Sequence, residues 1–198
     1  MPDRQDGPPL SDETDHGYVA RPLILVGASG SGKTVIGRRA SERSGWRLFD
    51  TDAEILRSAG VGRVSEIFDR YGEEHFRALE TRTLDEAFRP DGRVVIATGG
   101  GLPAIPGMME HLNQRGVTIY LKASLRTLWK RLSTDPKQLA DRPLLRSGGK
   151  DALERLLDAR EDVYRRASVT LDTDQLSVDE VCALLLAQIQ FIETGIEA

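Results

Sequence analysis

Two rhythms of apolar positions alternate from residue 21 onward, short unbroken runs and longer stretches at helical spacing. PLILV (22–26), RLFD (47–50), RVVIA (93–97), VTIYL (117–121) and SVTLD (168–172) read as five short strands. RVVIA is continuous and β-branched, as a parallel strand buried on both faces is. Helical patterns cover Lys33–Ser44, Ala53–Ala59, and Val64 to about Phe88 with a break near Tyr71–Gly72. Others run through Leu125 and Leu132, over Asp151–Arg166, and from Ser177 to about Glu193. In the last, Val178, Val181, Leu185, Ile189 and Ile192 form one apolar stripe, and Cys182 beside it reads as core packing. Strand and helix in alternation imply a parallel sheet covered by helices, an α/β fold.

Two segments lack either rhythm. Residues 1–20 are polar, rich in Pro, Gly and Asp, and are expected to form a disordered leader ahead of one domain over 21–198. Residues 133–149 are polar and contain glycine, which marks a mobile segment. With 198 residues the chain suits a single compact domain. A net charge of −4 argues against general nucleic-acid binding, and no apolar run is long enough to span a membrane. One cysteine excludes an intrachain disulfide and fits a reducing cytoplasm.

Chemistry enters at GASGSGKT (27–34), which follows the first strand and opens the first helix. Gly27, Gly30 and Gly32 allow successive backbone N–H groups to converge on a phosphate, and the helix N-terminus favours an anion. In a loop of this spacing Gly30, Ser31, Gly32, Lys33, Thr34 and Val35 surround the nucleotide. Lys33 reaches the β- and γ-phosphates and the Thr34 hydroxyl coordinates Mg2+. The chain is therefore expected to bind a nucleoside triphosphate.

Where the phosphate goes is a separate matter. FDTD places Asp50 and Asp52 two residues apart; on an extended chain both would point the same way, one carboxylate for the magnesium shell and one for an acceptor hydroxyl. The ordinary alternative is a strand end capping the next helix through Asp52. GEEHFRALE sets Arg77 and Glu80 one helical turn apart, a spacing usually found in surface ion pairs. ATGGGLP ends the third strand with Gly99, Gly100 and Gly101, as if side chains were excluded where a ligand sits. DRPLL carries Arg142 in the mobile segment, and REDVY sets Arg160 one turn before Tyr164.

Taken together, GxxGxGK[ST], D-x-D, G-E-x-x-F-R-x-x-E, T-G-G-G, R-P-L-L and R-x-x-x-Y in this order resemble the shikimate kinases, from Leu23 to the C-terminus. The resemblance implies a three-layer P-loop kinase fold: a five-stranded parallel sheet of order 2-3-1-4-5 flanked by helices, with a lid over about 133–149. It implies transfer of the ATP γ-phosphate to the 3-hydroxyl of shikimate, with Mg2+, in aromatic amino acid biosynthesis. By the same resemblance Asp52 holds the acceptor hydroxyls and acts as base, while Arg77 and Arg160 clamp the carboxylate. Gly99, Gly100 and Gly101 give backbone contacts to shikimate, and Arg142 descends with the lid onto the transferring phosphate. Lys33, Thr34 and Asp50 manage phosphates and metal, and Arg131 lies on the adenine side. A monomer in the cytoplasm, with no nucleic-acid or membrane partner, completes the expectation. The wording Ala28-Ser29 within the loop is shared with gluconate kinases, whose acceptor motifs differ.

Overall fold

A computed structural model describes residues 21–88, 92–134, 139, 141–146 and 148–194. The expected leader, 1–20, lies outside the described residues.

Five strands form one parallel sheet: β1 (Leu23–Val26), β2 (Arg47–Asp50), β3 (Val94–Ala97), β4 (Val117–Lys122) and β5 (Val169–Asp172). Their order is β2-β3-β1-β4-β5, with Leu23 opposite both Val95 and Val117. β1 is central and wholly buried, and its period-2 alternation divides the core. Leu23 and Leu25 face α1 (Lys33–Ser44) and the last helix, α9 (Val178–Thr194), where Val181, Cys182, Leu185 and Ile189 meet Ile36 and Ala40. Ile24 and Val26 face the other layer. It comprises the end of α3 (Val64–Ala87), α4 (Met108–Arg115), α5 (Leu125–Ser133) and α7 (Gly149–Asp158). Each helix buries one stripe against the sheet, which is what holds such short strands in place.

A smaller cluster, Ile55, Ile67 and Phe76, packs α2 (Thr51–Ala59) against the first half of α3. The break expected near Tyr71–Gly72 is present: Gly72 has φ 80° and ψ 175°, a conformation nearly confined to glycine. The bend lets one long element pack at both ends.

Three features differ from the sequence pattern. The stretch 151–166 is two helices, α7 and α8 (Glu161–Tyr164), with the break at Ala159–Arg160. The β3–β4 crossover contains a 3-10 turn (Leu102–Ala104) and α4, which buries only Met108, Met109 and Leu112 and so leaves little period to detect. Helix α2 begins at Thr51 because the Asp50 side chain caps it, accepting from the Ala53 amide at 3.1 Å. Within 133–149, the described residues include a four-residue helix, α6 (Pro143–Arg146); residues 135–138, 140 and 147 lie outside the described residues.

Candidate active site

The carboxyl ends of β1, β2 and β3 open onto one edge of the sheet, where parallel α/β folds place their ligands. After β1 the loop turns through Gly27, Gly30 and Gly32, with φ of 140°, 85° and 96°. L-residues with a Cβ avoid these values, so this loop needs glycine for its shape. The buried Lys33 ammonium folds back onto the loop, donating to the carbonyls of Gly27 (2.7 Å) and Ala28 (3.0 Å) and to Ser31 Oγ (3.3 Å). Burial, reinforced by the Arg142 charge, lowers its pKa to about 8.

Thr34 and Asp50 are brought together as expected: the Thr34 hydroxyl donates to Asp50 Oδ2 at 2.6 Å. Asp52 is placed differently from the extended-chain reading. It sits in the first turn of α2, beyond the end of the strand, and the cap is Asp50 rather than Asp52. This leaves Asp52 Oδ1 buried with no hydrogen-bond partner among the described residues. Burial and the neighbouring Asp50 charge raise the proton affinity of Asp52, while Arg142, Lys33 and Arg77 oppose the rise.

Arg77 and Glu80 are not a surface pair. The Glu80 side chain is 1 % exposed and binds Arg77 Nη1 through Oε2, while Glu73 takes Nη2 at 2.8 Å. Glu80 Oε1 is buried without a partner among the described residues, and burial pushes the Glu80 pKa up to about 7 against the pull of Arg77. A buried carboxylate of this kind belongs to a site more often than to a surface ion pair.

The triple glycine has a cause that the sequence pattern does not reveal. None of the three has positive φ. A Cβ on Gly99 would overlap Glu80 Oε1 and stand 2.7 Å from Asp52 Oδ1, and one on Gly101 would overlap the Arg77 guanidinium. Gly99 and Gly101 make room for the protein's own charged side chains, where a ligand alone was expected to need the space, while a Cβ on Gly100 would crowd the phosphate loop at Ser29. The Gly99 amide is also committed, donating to Thr51 Oγ1 at 2.8 Å, so of the three expected backbone donors only those of Gly100 and Gly101 remain unpaired among the described residues.

Two cavities adjoin here. One, of about 330 Å³, is lined by Gly30 to Ile36, Arg131, Thr173 and Ser177–Val178. Val35 is 58 % exposed at its rim, and Arg131 ties the loop to the end of β5 by donating to the carbonyls of Ser31 (3.4 Å) and Thr173 (2.9 Å). The other, of about 260 Å³, is lined by Phe68, Phe76, Arg77, Glu80, Gly99, Gly101 and Arg160. Ser29, Thr34, Asp50, Asp52, Gly100 and Arg142 border both. Arg142 reaches this boundary, donating from Nη1 to Ser29 Oγ at 3.2 Å, while its Nε is buried and unpaired among the described residues. Every expected site residue thus lines one cavity or both. Ser29, Thr51, Glu80 and Asp141 join the site without having been expected there; all are common polar residues whose sequence neighbours give no sign of burial.

A family model described as shikimate kinase matches residues 29–190. The chain belongs to the shikimate kinase family. The shikimate kinase of Geobacter sulfurreducens is 40% identical over 162 residues, covering 81% of this chain and 86% of that one. The shikimate kinase of Acinetobacter baumannii, solved in complex with shikimate, superposes with a TM-score of 0.78 at 34% identity, covering 87% of this chain and 94% of that one. Deoxyadenosine kinase from M. mycoides with bound dATP gives 0.58 at 14% identity over 85% of this chain and 99% of that one, a likeness of fold alone. The shikimate kinase fold expected from the motifs, with sheet order 2-3-1-4-5, is the one found.

Proposed function

We infer that the chain transfers the γ-phosphate of ATP to the 3-hydroxyl of shikimate, giving shikimate 3-phosphate, a step in chorismate and aromatic amino acid synthesis. The observation that carries this reading is the shared wall. A phosphate loop lies on one side, two arginines lie on the other, and a carboxylate and an arginine stand between them.

Each residue then has a task set by its surroundings. ATP occupies the larger cavity, its adenine toward Arg131 and Val178 and its phosphates along Gly30–Val35. Lys33 exchanges the Gly27 and Ala28 carbonyls for phosphate oxygens, a stronger charge-assisted bond that also favours its protonated form. Arg77 and Arg160 receive the shikimate carboxylate, whose planar geometry suits guanidinium. Asp52 orients the acceptor hydroxyl and takes its proton; the raised proton affinity of a buried carboxylate suits that step. The segment 133–149 closes as a lid, bringing Arg142 to the transferring phosphate and excluding water.

The donors for a metal fit Mg2+. Thr34 and Asp50 offer one hydroxyl and one carboxylate at 2.6 Å from each other, next to the phosphate loop. Mg2+ bound with a nucleotide takes only one or two protein oxygens, the rest coming from water and phosphate. Once bound, it neutralises charge on the β- and γ-phosphates. No helix among the described residues is long and apolar enough to cross a membrane. We place the enzyme in the cytoplasm on its single cysteine, with no nucleic-acid partner on its net charge of −4, and we take it to be a monomer acting on small molecules.

ADP release should be measured by a coupled assay with shikimate, gluconate, quinate and AMP as acceptors. Release that depends on shikimate alone is expected. Turnover with another of the four and none with shikimate would overturn the reading.

A further inference from the structure

Three adjacent glycines make the most pliable backbone a chain can have, yet a turn that serves a ligand must hold its amides in one direction. The turn after β3 is restrained from several sides. The Gly99 amide donates to Thr51 Oγ1, the Gly99 carbonyl accepts from Leu102, and the Gly101 carbonyl accepts from Ala104. The central carbonyl, that of Gly100, has no backbone donor among the described residues. It accepts instead from the Tyr164 hydroxyl at 2.6 Å, across 64 positions of sequence.

Tyr164 is fully buried and lines neither cavity, whereas Gly100 borders both and Gly101 borders the smaller one. Its ring lies 5.3 Å from that of Tyr120 on β4, whose hydroxyl is in turn held by Glu161. The tyrosine is thus fixed behind the turn. In a trans peptide the carbonyl and the following amide point to opposite sides. A Gly100 carbonyl drawn back onto Tyr164 turns the Gly101 amide away from Tyr164, at a residue that lines the smaller cavity and whose missing Cβ leaves room for Arg77. The Tyr164 amide also donates to the Arg160 carbonyl at 3.0 Å, and the Tyr164 hydroxyl stands within hydrogen-bond reach of the Arg160 side chain, so the same residue closes the short helix that presents Arg160 and neighbours its guanidinium.

We propose that Tyr164 is a positioning residue of the acceptor site: by holding the Gly100 carbonyl it aims the Gly101 amide at the anionic, hydroxylated acceptor. The choice of shikimate as that acceptor rests on the function proposed above.

Tyr164→Phe removes the hydroxyl and keeps the ring. Steady-state kinetics should show the KM for shikimate raised about tenfold, with the KM for ATP within twofold of wild type. Tyr120→Phe, which loosens the same tyrosine pair without touching the turn, should leave both KM values within twofold. An unchanged shikimate KM in Tyr164→Phe overturns the proposal, as does an equal rise in both constants or an equal effect of Tyr120→Phe. Because the hydroxyl also neighbours the Arg160 side chain, the Gly101 amide of Tyr164→Phe is followed by NMR as well: it should lose its response to saturating shikimate, and a response equal to wild type would assign the loss to Arg160 and overturn the proposal. Should Tyr164→Phe not fold, NMR of the wild-type protein decides between the outcomes. Saturating shikimate should shift and protect the Gly101 amide, and an amide that neither shifts nor gains protection overturns the proposal. Failure of the functional reading looks different, because the wild type then shows no shikimate turnover at all.

Discussion

Gly27, Gly30 and Gly32 on the nucleotide side and Gly99, Gly100 and Gly101 on the acceptor side form two glycine triplets facing one another, and they are glycine for different reasons. The first set carries positive φ and is needed for its conformation, with close packing at Gly27 and Gly30 adding to the demand; the second has ordinary φ and is needed for space alone. The nucleotide side is built of backbone, with amides and a helix start that bind any polyphosphate. On the acceptor side the builders are charged side chains taken out of water: Asp52 and Glu80 packed where Gly99 lacks a Cβ, and Arg77 where Gly101 lacks one. A backbone site is cheap in desolvation and general in what it binds. A site of buried charges costs several kcal/mol of desolvation per group before its partners offset it, and it gains selectivity in return.

The largest test of this contrast is at the wall between the two sides. Asp52→Asn keeps shape and hydrogen bonding but cannot accept a proton, so kcat should fall by about 10²–10⁴-fold, with the lower end expected for a loose transfer. ATP binding should stay normal. Single-turnover transfer at saturating ATP, Mg2+ and shikimate isolates that step, and a wild-type rate there would reduce Asp52 to a positioning group. Arg142→Ala should lower kcat by about 10²-fold, the scale of one charge donor to the transition state. Unchanged turnover would mean that Arg142 does not act on the transferring phosphate.

Swapping glycine for alanine separates the triplets directly. Gly101→Ala should push the Arg77 guanidinium aside and raise the KM for shikimate, by about 10–100-fold if its ion pair with the acceptor is desolvated, while ATP affinity holds. Gly30→Ala, at φ 85° and with its Cβ 2.9 Å from Leu132 Cγ, should instead cost stability and nucleotide affinity together. Isothermal titration with each ligand and thermal melts of both variants make the comparison. Loss of ATP binding in Gly101→Ala would erase the distinction.

These two sides are unequally legible in the sequence. GASGSGKT announces itself because a backbone function demands glycine at fixed positions, and the buried strands are plain because β1 and β3 are apolar throughout. The acceptor side is reached through its resemblance to a family, since burial of a charged residue leaves no local mark. Arg77 and Glu80 have the spacing of a surface pair, and nothing nearby says that Glu80 is enclosed. Asp52 reads as part of an extended strand end because the cap that starts α2 is Asp50 itself, a choice between neighbouring aspartates that depends on tertiary position. The break before α8 is hidden for a similar reason: residues 151–166 keep helical composition, and only the three-dimensional fit of Arg160 and Tyr164 interrupts them.

The smallest expected effect lies in pH. Glu80 has a folded pKa of about 7 against an ordinary 4.5. Between those values the folded state binds more protons than the unfolded one, so stability falls as pH rises through this window and is highest below it. The contribution is on the order of 1–3 kcal/mol between pH 4.5 and 7. Urea unfolding at pH 5 and pH 8 should show this slope in the wild type and a shallower one in Glu80→Gln. Parallel slopes would mean that Arg77 compensates the buried charge fully.

Asp50 spends both of its carboxylate oxygens inside the protein, Oδ1 on the first turn of α2 and Oδ2 on the Thr34 hydroxyl. One residue therefore sets where the acceptor-side helix starts and where the metal-side hydroxyl stands. Pleiotropy follows. A change at Asp50 meant to retune metal preference would also shift the helix turn that carries Asp52, and no rescue by added Mg2+ could restore Asp52, the base we propose, to its place. Anyone redesigning this enzyme for a different ion would do better to begin at Thr34, where the two effects come apart.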